Sequence, residues 1–260
     1  EYIREDLRAV NMGEWPTQCF KAYDIRGLAG DELSDDFSYR LGRALATYLD
    51  CNSFAVGRDI RKSSPGYASN LIQGMVDSGV KVLDLGIVST GCLYHACWTL
   101  PVDGGVMITA SHLLPMPTHN GFKICRGTLP LAGEEIQELK EVFLTGKFKD
   151  GVGEVIDTPH EDRYLEAIVE STGKLARRVK VAVDCGNAVP GPAMVKLLDM
   201  IGADHIDLYC NWDNTEPNHG ADPTREYNMV DLAKVVVDNG LELGLGADGD
   251  GDRIGAVDEN

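Results

Sequence analysis

Short runs of β-branched and apolar residues alternate along this chain with segments whose apolar side chains recur every three or four positions. That alternation restricts the fold more than any other feature, because strands separated by helices build an α/β architecture with an at least partly parallel sheet. Leu33, Phe37, Leu41, Leu45 and Leu49 are spaced by four behind Ser34, which predicts a capped helix. SFAVG reads as the next strand. Ser64 and Pro65 then open a helix with an apolar face of Ala68, Leu71, Ile72, Met75 and Val76, closed by Gly79. VKVLDLG is a strand, Cys92 to Trp98 a helix, and GGVMIT a strand that delivers Ser111 and His112 at its carboxyl end. Ile136, Leu139, Val142 and Phe143 mark a further helix.

At TGKFKDGVGEV the composition turns to Gly, Lys and Asp, which places a domain boundary near residue 150. The order then repeats in outline: strand VKVAVDC, helix Gly191 to Ile201, strand HIDLY, helix Asn228 to Asn239, strand LELGLG, an acidic loop, strand RIGAV. The expectation is two similar α/β domains, residues 1–150 and 151–260, each a mixed sheet sandwiched by helices. In such sheets ligands bind in loops beyond the strand ends.

At 260 residues, 43% apolar and 25% charged, the chain is long enough to bury a core. A net charge of −17 argues against a nucleic-acid backbone or an anionic membrane as partner, and no apolar run reaches transmembrane length. Residues 1 to 15 lack a signal-peptide core. The seven cysteines include no CxxC pair, and an odd count does not suit a complete disulfide framework. Both points fit a reducing, cytoplasmic location.

The loop ADGDGDRIG, residues 247 to 255, sets three aspartates at alternate positions. Two carboxylates at about 4 Å repel by about 4 kcal/mol at an effective dielectric of about 20, so Asp248, Asp250 and Asp252 require a cation or full hydration. Either a solvated hairpin turn or a site for a hard divalent cation satisfies them. A calcium-binding EF-hand loop fails here, because Arg253 stands where that loop needs glycine. A haloacid-dehalogenase-like phosphatase wants Thr or Val at the position of Asp252. Arg253 beside the carboxylates places an anion donor next to a cation site, and that pairing suits phosphoryl transfer.

Three other stretches carry candidate chemistry. KAYDIRG (21–27) and GRDIRKSSP (57–65) offer Arg26, Arg58, Arg61 and Lys62, which can clamp a phosphate, although the commoner role of each alone is a surface ion pair. In TASHLLPMPTHNGFK (109–123), Ser111 has no Gly-x-Ser-x-Gly elbow and needs a base, a metal or a transferable group already on its oxygen. His112 and Ser111 alone are ordinary loop residues. Lys123 can hold an anion or carry a proton.

Taken together and in order, YDIRG, GRDIRKSSP, TASH with NGFK, VDCGN, DPTRE and DGDGDR resemble the α-D-phosphohexomutase family, which includes phosphoglucomutase and phosphomannomutase. The resemblance spans the whole chain. It implies that Ser111 carries the transferable phosphate, that Asp248, Asp250 and Asp252 with a Ser111 phosphate oxygen bind magnesium, and that Arg26, His112, Lys123 and Arg253 line the active site. It implies a phosphosugar substrate, with phosphate passing between the 1- and 6-positions of a hexose. VDCGN and DPTRE read as structural loops. Leu113, Leu114 and Pro115 replace the family's Asn-Pro, in a loop that reads a couple of residues longer. Two further C-terminal domains of the family have no counterpart here, so the fragment alone is expected to be inactive. The alternatives are a divalent-cation-binding module and a truncated paralogue without mutase activity.

Overall fold

The structure, a computed structural model, describes residues 15–113, 115–116 and 118–259. Residues 1–14, which hold most of the stretch read for a signal peptide, and Leu114 lie outside the described residues. Helix α1 (Asp35–Leu49) begins where the Ser34 hydroxyl accepts the Phe37 N–H at 3.0 Å, with Asp35 and Asp36 near the positive end of the helix dipole. Its face of Phe37, Leu41 and Leu45 is fully buried.

The first domain comprises β1 (Ile25–Leu28), α1, β2 (Ser53–Arg58), α2 (Ser64–Val76), β3 (Lys81–Ile87), α3 (Thr90–Thr99), β4 (Gly104–Ile108), β5 (His119–Arg126), β6 (Leu129–Pro130), α4 (Glu134–Thr145) and β7 (Glu154–Asp157). Its sheet has the order β1-β5-β4-β2-β3-β7, with β6 added to β5. Strands β4, β2, β3 and β7 run parallel, and β5 is antiparallel to β4 and β1. Strand β7 belongs to this sheet although it lies beyond residue 150, so the first sheet is completed by residues past the expected boundary.

The second domain comprises α5 (Glu161–Thr172), β8 (Lys180–Asp184), α6 (Gly191–Ile201), β9 (Asp204–Leu208), α7 (Val230–Asn239), β10 (Leu243–Ala247) and β11 (Ile254–Val257), in a sheet ordered β11-β10-β8-β9. Here β10, β8 and β9 are parallel and β11 is antiparallel to β10. The two domains therefore share a unit. In each, two strand-helix steps lead to a third parallel strand, a loop, and an antiparallel return strand. The loop is 109–118 in the first and 248–253 in the second, so Ser111 and the aspartates hold equivalent places.

The cores differ in depth. In the first domain Phe37 lies 4.8 Å from Phe143, 5.9 Å from Phe20 and 6.3 Å from Phe122 between ring centroids, inside one large apolar cluster. The second domain splits its apolar side chains between the faces of its sheet, Val181 and Val183 packing with Leu198 on one, Ala182 with Leu232 and Val236 on the other.

Candidate active site

Strand β4 ends at Ile108 and the chain turns sharply. Thr109 Oγ1 accepts the Ser111 N–H at 2.9 Å, and Ser111 adopts φ +54°, a left-handed conformation that costs a non-glycine residue on the order of 1–3 kcal/mol and persists only where surroundings enforce it. The enforcing group is Arg61. It is 1% exposed and is neither the surface ion pair nor the phosphate clamp that its motif suggests. Its guanidinium bonds Asp59 at 3.1 Å and donates to the carbonyls of Ser111 (2.7 Å), Leu113 (2.9 Å), Met116 (2.9 Å) and His119 (3.1 Å). Burial pushes the Asp59 carboxyl up, opposed by Arg61 and by hydrogen bonds from the Ser64 hydroxyl and the Arg61 N–H.

The aspartate loop is organised by its own backbone. Asp248 Oδ1 accepts the N–H groups of Asp252 and Arg253, both at 3.0 Å, and the Asp248 N–H donates to the Arg253 carbonyl at 3.2 Å. Asp248 and Asp250 have no exposed surface, which excludes the solvated hairpin as a way of settling their charges. Burial, then Asp250 and Asp252, push the Asp248 carboxyl up to about 7. Asp250 moves the other way: burial opposes its ionisation, but Lys123 and the hydroxyl of Thr90 outweigh that and hold it low.

The two loops touch. Ser111 Oγ donates to Asp248 Oδ2 at 2.9 Å. A Cβ on Gly249 would stand 2.3 Å from the Ser111 carbonyl oxygen, so only glycine permits this approach. Lys123, on β5, bonds Asp250 Oδ2 and Asp252 Oδ2, each at 2.6 Å. Burial works against its charge, but the two carboxylates raise its pKa overall. Arg253 lies 2.7 Å from His112 Nδ1, and His112 Nδ1 lies 3.4 Å from Ser111 Oγ. Burial first, then Arg253, hold the His112 pKa below its usual value. Arg26, on β1, donates to the Ala110 carbonyl at 3.3 Å. Ser111, His112, Lys123, Arg26, Arg253 and the three aspartates thus converge where the two domains meet, whereas no hydrogen bond or ion pair among the described residues brings the Arg58 or Lys62 side chain to them.

A profile described as phosphoglucomutase/phosphomannomutase, alpha/beta/alpha domain I, matches residues 17–150, and the alpha/beta/alpha domain II profile matches residues 162–260. The chain belongs to the phosphoglucomutase/phosphomannomutase family. A phosphomannomutase/phosphoglucomutase from Pseudomonas aeruginosa is 43% identical over 246 residues, 93% of this chain and 52% of the relative. A phosphoglucomutase from Neisseria meningitidis serogroup A is 41% identical over 243 residues, 92% of this chain and 52% of the relative. A solved phosphoglucomutase/phosphomannomutase family protein from Burkholderia thailandensis superimposes with a TM-score of 0.88 at 34% identity, covering 93% of this chain and 55% of that one. The chain spans about half the length of the curated relatives it matches.

The residues fit the metal that the phosphoglucomutase/phosphomannomutase resemblance implies. One carboxylate oxygen from each of Asp248, Asp250 and Asp252 lies within 4.8 Å of the others, and buried Asp250 Oδ1 has no hydrogen-bond partner among the described residues. Three oxygens and one orphaned acceptor suit a hard divalent cation. A cavity of about 420 Å³ elsewhere, lined by Pro192, Lys196, Asp199 and Tyr209 among others, shares no residue with this site.

Two contributors were not legible in the sequence. Thr90, at the start of α3, donates its hydroxyl to Asp250 Oδ2 at 2.6 Å and its N–H to the Asp250 carbonyl at 2.9 Å; 160 residues separate the pair and no local pattern announces it. Thr109 has no signal beyond its place in TASH, yet its hydroxyl accepts the Ser111 N–H. In VDCGN, Asp184 pairs with His219 at 2.9 Å; in DPTRE, Asp222 accepts the Thr224 hydroxyl at 2.6 Å and also faces the site, its charge favouring the protonated form of His112 against burial and Arg253.

Proposed function

We propose that this chain carries the nucleophile and the metal site of a phosphohexomutase, which moves phosphate between the 1- and 6-positions of glucose or mannose phosphate through a phosphoserine and a bisphosphate intermediate. The observation that carries this reading is the 2.9 Å hydrogen bond from Ser111 Oγ to Asp248 Oδ2, which joins a buried serine to a buried member of the carboxylate cluster across a domain boundary. A serine without a triad is understandable if the group to be transferred is already on its oxygen.

In the transfer, the bond from phosphorus to Ser111 Oγ breaks as a bond to a sugar hydroxyl oxygen forms. The hydroxyl proton returns to Ser111 Oγ, and His112, held neutral by burial and Arg253, is placed to relay it. Lys123 keeps its charge between Asp250 and Asp252, which supports a role as anion holder over one as proton carrier. Arg253 and Arg26 offer guanidinium groups on either side of the Ser111 loop for phosphate oxygens. Asp248, Asp250, Asp252 and a Ser111 phosphate oxygen would hold magnesium, which supplies neutralising charge to the phosphoryl group. Sugar selection and the remaining phosphate contacts belong, in this reading, to further C-terminal domains.

The test is phosphopeptide mapping of the full-length protein after incubation with glucose 1,6-bisphosphate and magnesium. Label on Ser111 that passes to added hexose phosphate is expected, and Ser111→Ala abolishes it. Label on Asp248 would instead make the protein a phosphatase-type enzyme and sink the proposal.

A further inference from the structure

The mechanism above uses groups that face the reacting atoms. It does not use Arg61, the largest fully buried side chain of the described residues, nor Glu216, which reaches out of the second domain. Resting on the phosphoserine reading, we propose that these two are positioning residues that fix Ser111 from opposite sides, so that the nucleophile is in register only when the domains are together.

From the first domain, all the N–H directions of Arg61 are engaged. Nε faces Asp59, Nη1 takes the Met116 and His119 carbonyls, and Nη2 takes those of Ser111 and Leu113. A planar five-donor fork fixes the relative positions of those carbonyls as a point charge cannot. From the second domain, Glu216 Oε2 accepts the Met116 N–H at 3.0 Å, and Asn214 Nδ2 donates to the Ile60 carbonyl at 3.1 Å, directly before Arg61. Met116 is thus held by its carbonyl from one domain and by its N–H from the other. Met116, Ala188, Ala221 and Ile60 pack into a small apolar cluster at this junction. Glu216 has φ +53°, so its own backbone is committed to this reach. Neither side chain contacts Ser111 Oγ, so each acts on the reaction only through the loop.

The experiment uses full-length protein phosphorylated on Ser111. Single-turnover transfer to added hexose phosphate and hydrogen exchange over residues 109–121 are both measured for wild type, Arg61→Lys, Glu216→Ala and Glu216→Gln. Arg61→Lys keeps the charge and loses the fork: its transfer rate falls by about 100-fold, the effect of a misplaced nucleophile, while KM holds. Glu216→Ala slows transfer by about tenfold, and Glu216→Gln, which keeps an acceptor, restores most of it. Both damaging variants speed exchange in 109–121 more than elsewhere. Should Arg61→Lys not fold, Glu216→Ala and Glu216→Gln decide the matter alone. Wild-type transfer rates, or unchanged exchange of 109–121 in Glu216→Ala, overturn the proposal. A wild-type protein that never carries phosphate on Ser111 sinks the phosphoserine reading instead, and the exchange comparison still decides whether these residues hold the loop.

Discussion

The Ser111 loop and the aspartate loop occupy the same place in two copies of one topology, between the third parallel strand and its antiparallel return, yet they are held in opposite ways. The first is held from outside: Arg61 lies fifty residues before Ser111 and supplies three hydrogen bonds to loop carbonyls and a fourth to that of His119, where β5 begins. The second shapes its own turn from within, Asp248 accepting the N–H groups of Asp252 and Arg253, while Thr90 and Lys123 of the first domain grip Asp250. A loop that must keep a non-glycine residue at positive φ needs an external brace. A loop that must gather like charges can use the backbone N–H groups that a tight turn already points inward.

That contrast breaks most visibly through Asp59. Asp59→Asn leaves the buried Arg61 guanidinium without its counter-charge, and a loss of about 3–5 kcal/mol in urea unfolding is expected. A loss under about 1 kcal/mol would show that the brace does not depend on the ion pair. Next in size is Gly249→Ala, which drives a methyl into the Ser111 carbonyl and so separates the loops where they meet. Phosphoryl transfer in the full-length protein should fall by about 100-fold. Undiminished turnover would mean that the loops need not touch.

Asp248→Asn sharpens the comparison from the other side. An amide oxygen still accepts both N–H groups, and one of three crowded charges is gone, so stability should change by less than about 1 kcal/mol. Divalent-cation binding, followed by calorimetric titration, should nevertheless weaken. If Asp248→Asn unfolds the second domain as readily as Asp59→Asn unfolds the first, the two loops are not held differently.

The smallest effect lies in the joint between α3 and α5. His95 Nδ1 is 2.8 Å from His160 Nε2, with Thr99, Tyr164 and Arg163 as the other groups about the pair. Burial and then Arg163 lower the His95 pKa, while burial, His95 and Arg163 lower that of His160. Depressed values favour the neutral rings, so this contribution is complete above about pH 6.5 and is lost as pH falls through the folded-state values. Hydrogen exchange in α3 and α5 should quicken below pH 6 and should not do so in His160→Gln.

The same contrast explains what could be read from the sequence. The charge pattern of the aspartate loop and Arg253 lie within nine residues and were visible together, whereas its partner Thr90 lies 160 residues away and was not. Helices α1 and α2 declared themselves through apolar periodicity and the residues at their ends. The brace of the Ser111 loop is non-local: nothing near residue 111 names Arg61, and Arg61 in its own motif looks like one more exposed cation. Strand β5 was hidden for a related reason. His119, Asn120 and Lys123 are polar because they serve the site, so HNGFKICR does not alternate as a half-buried strand would. Strand β7, short and exposed on both faces, offers only the adjacent pair Val155 and Ile156, too little to show that the first sheet extends past the composition change near residue 150.

Strand β11 is the last strand of its sheet and hydrogen-bonds to β10 on one side only. Its outer edge presents a row of backbone donors and acceptors, and Ile254 at its start is 62% exposed. In a concentrated preparation of this chain that edge is a template onto which a second extended segment can add at the ordinary inter-strand spacing of about 4.8 Å. The net charge of −17 keeps copies apart only over a range set by the Debye length, about 10 Å at 0.1 M salt and shorter at higher salt. Colloidal behaviour is therefore governed by ionic strength, and low-salt buffer is the medium in which this protein keeps to itself.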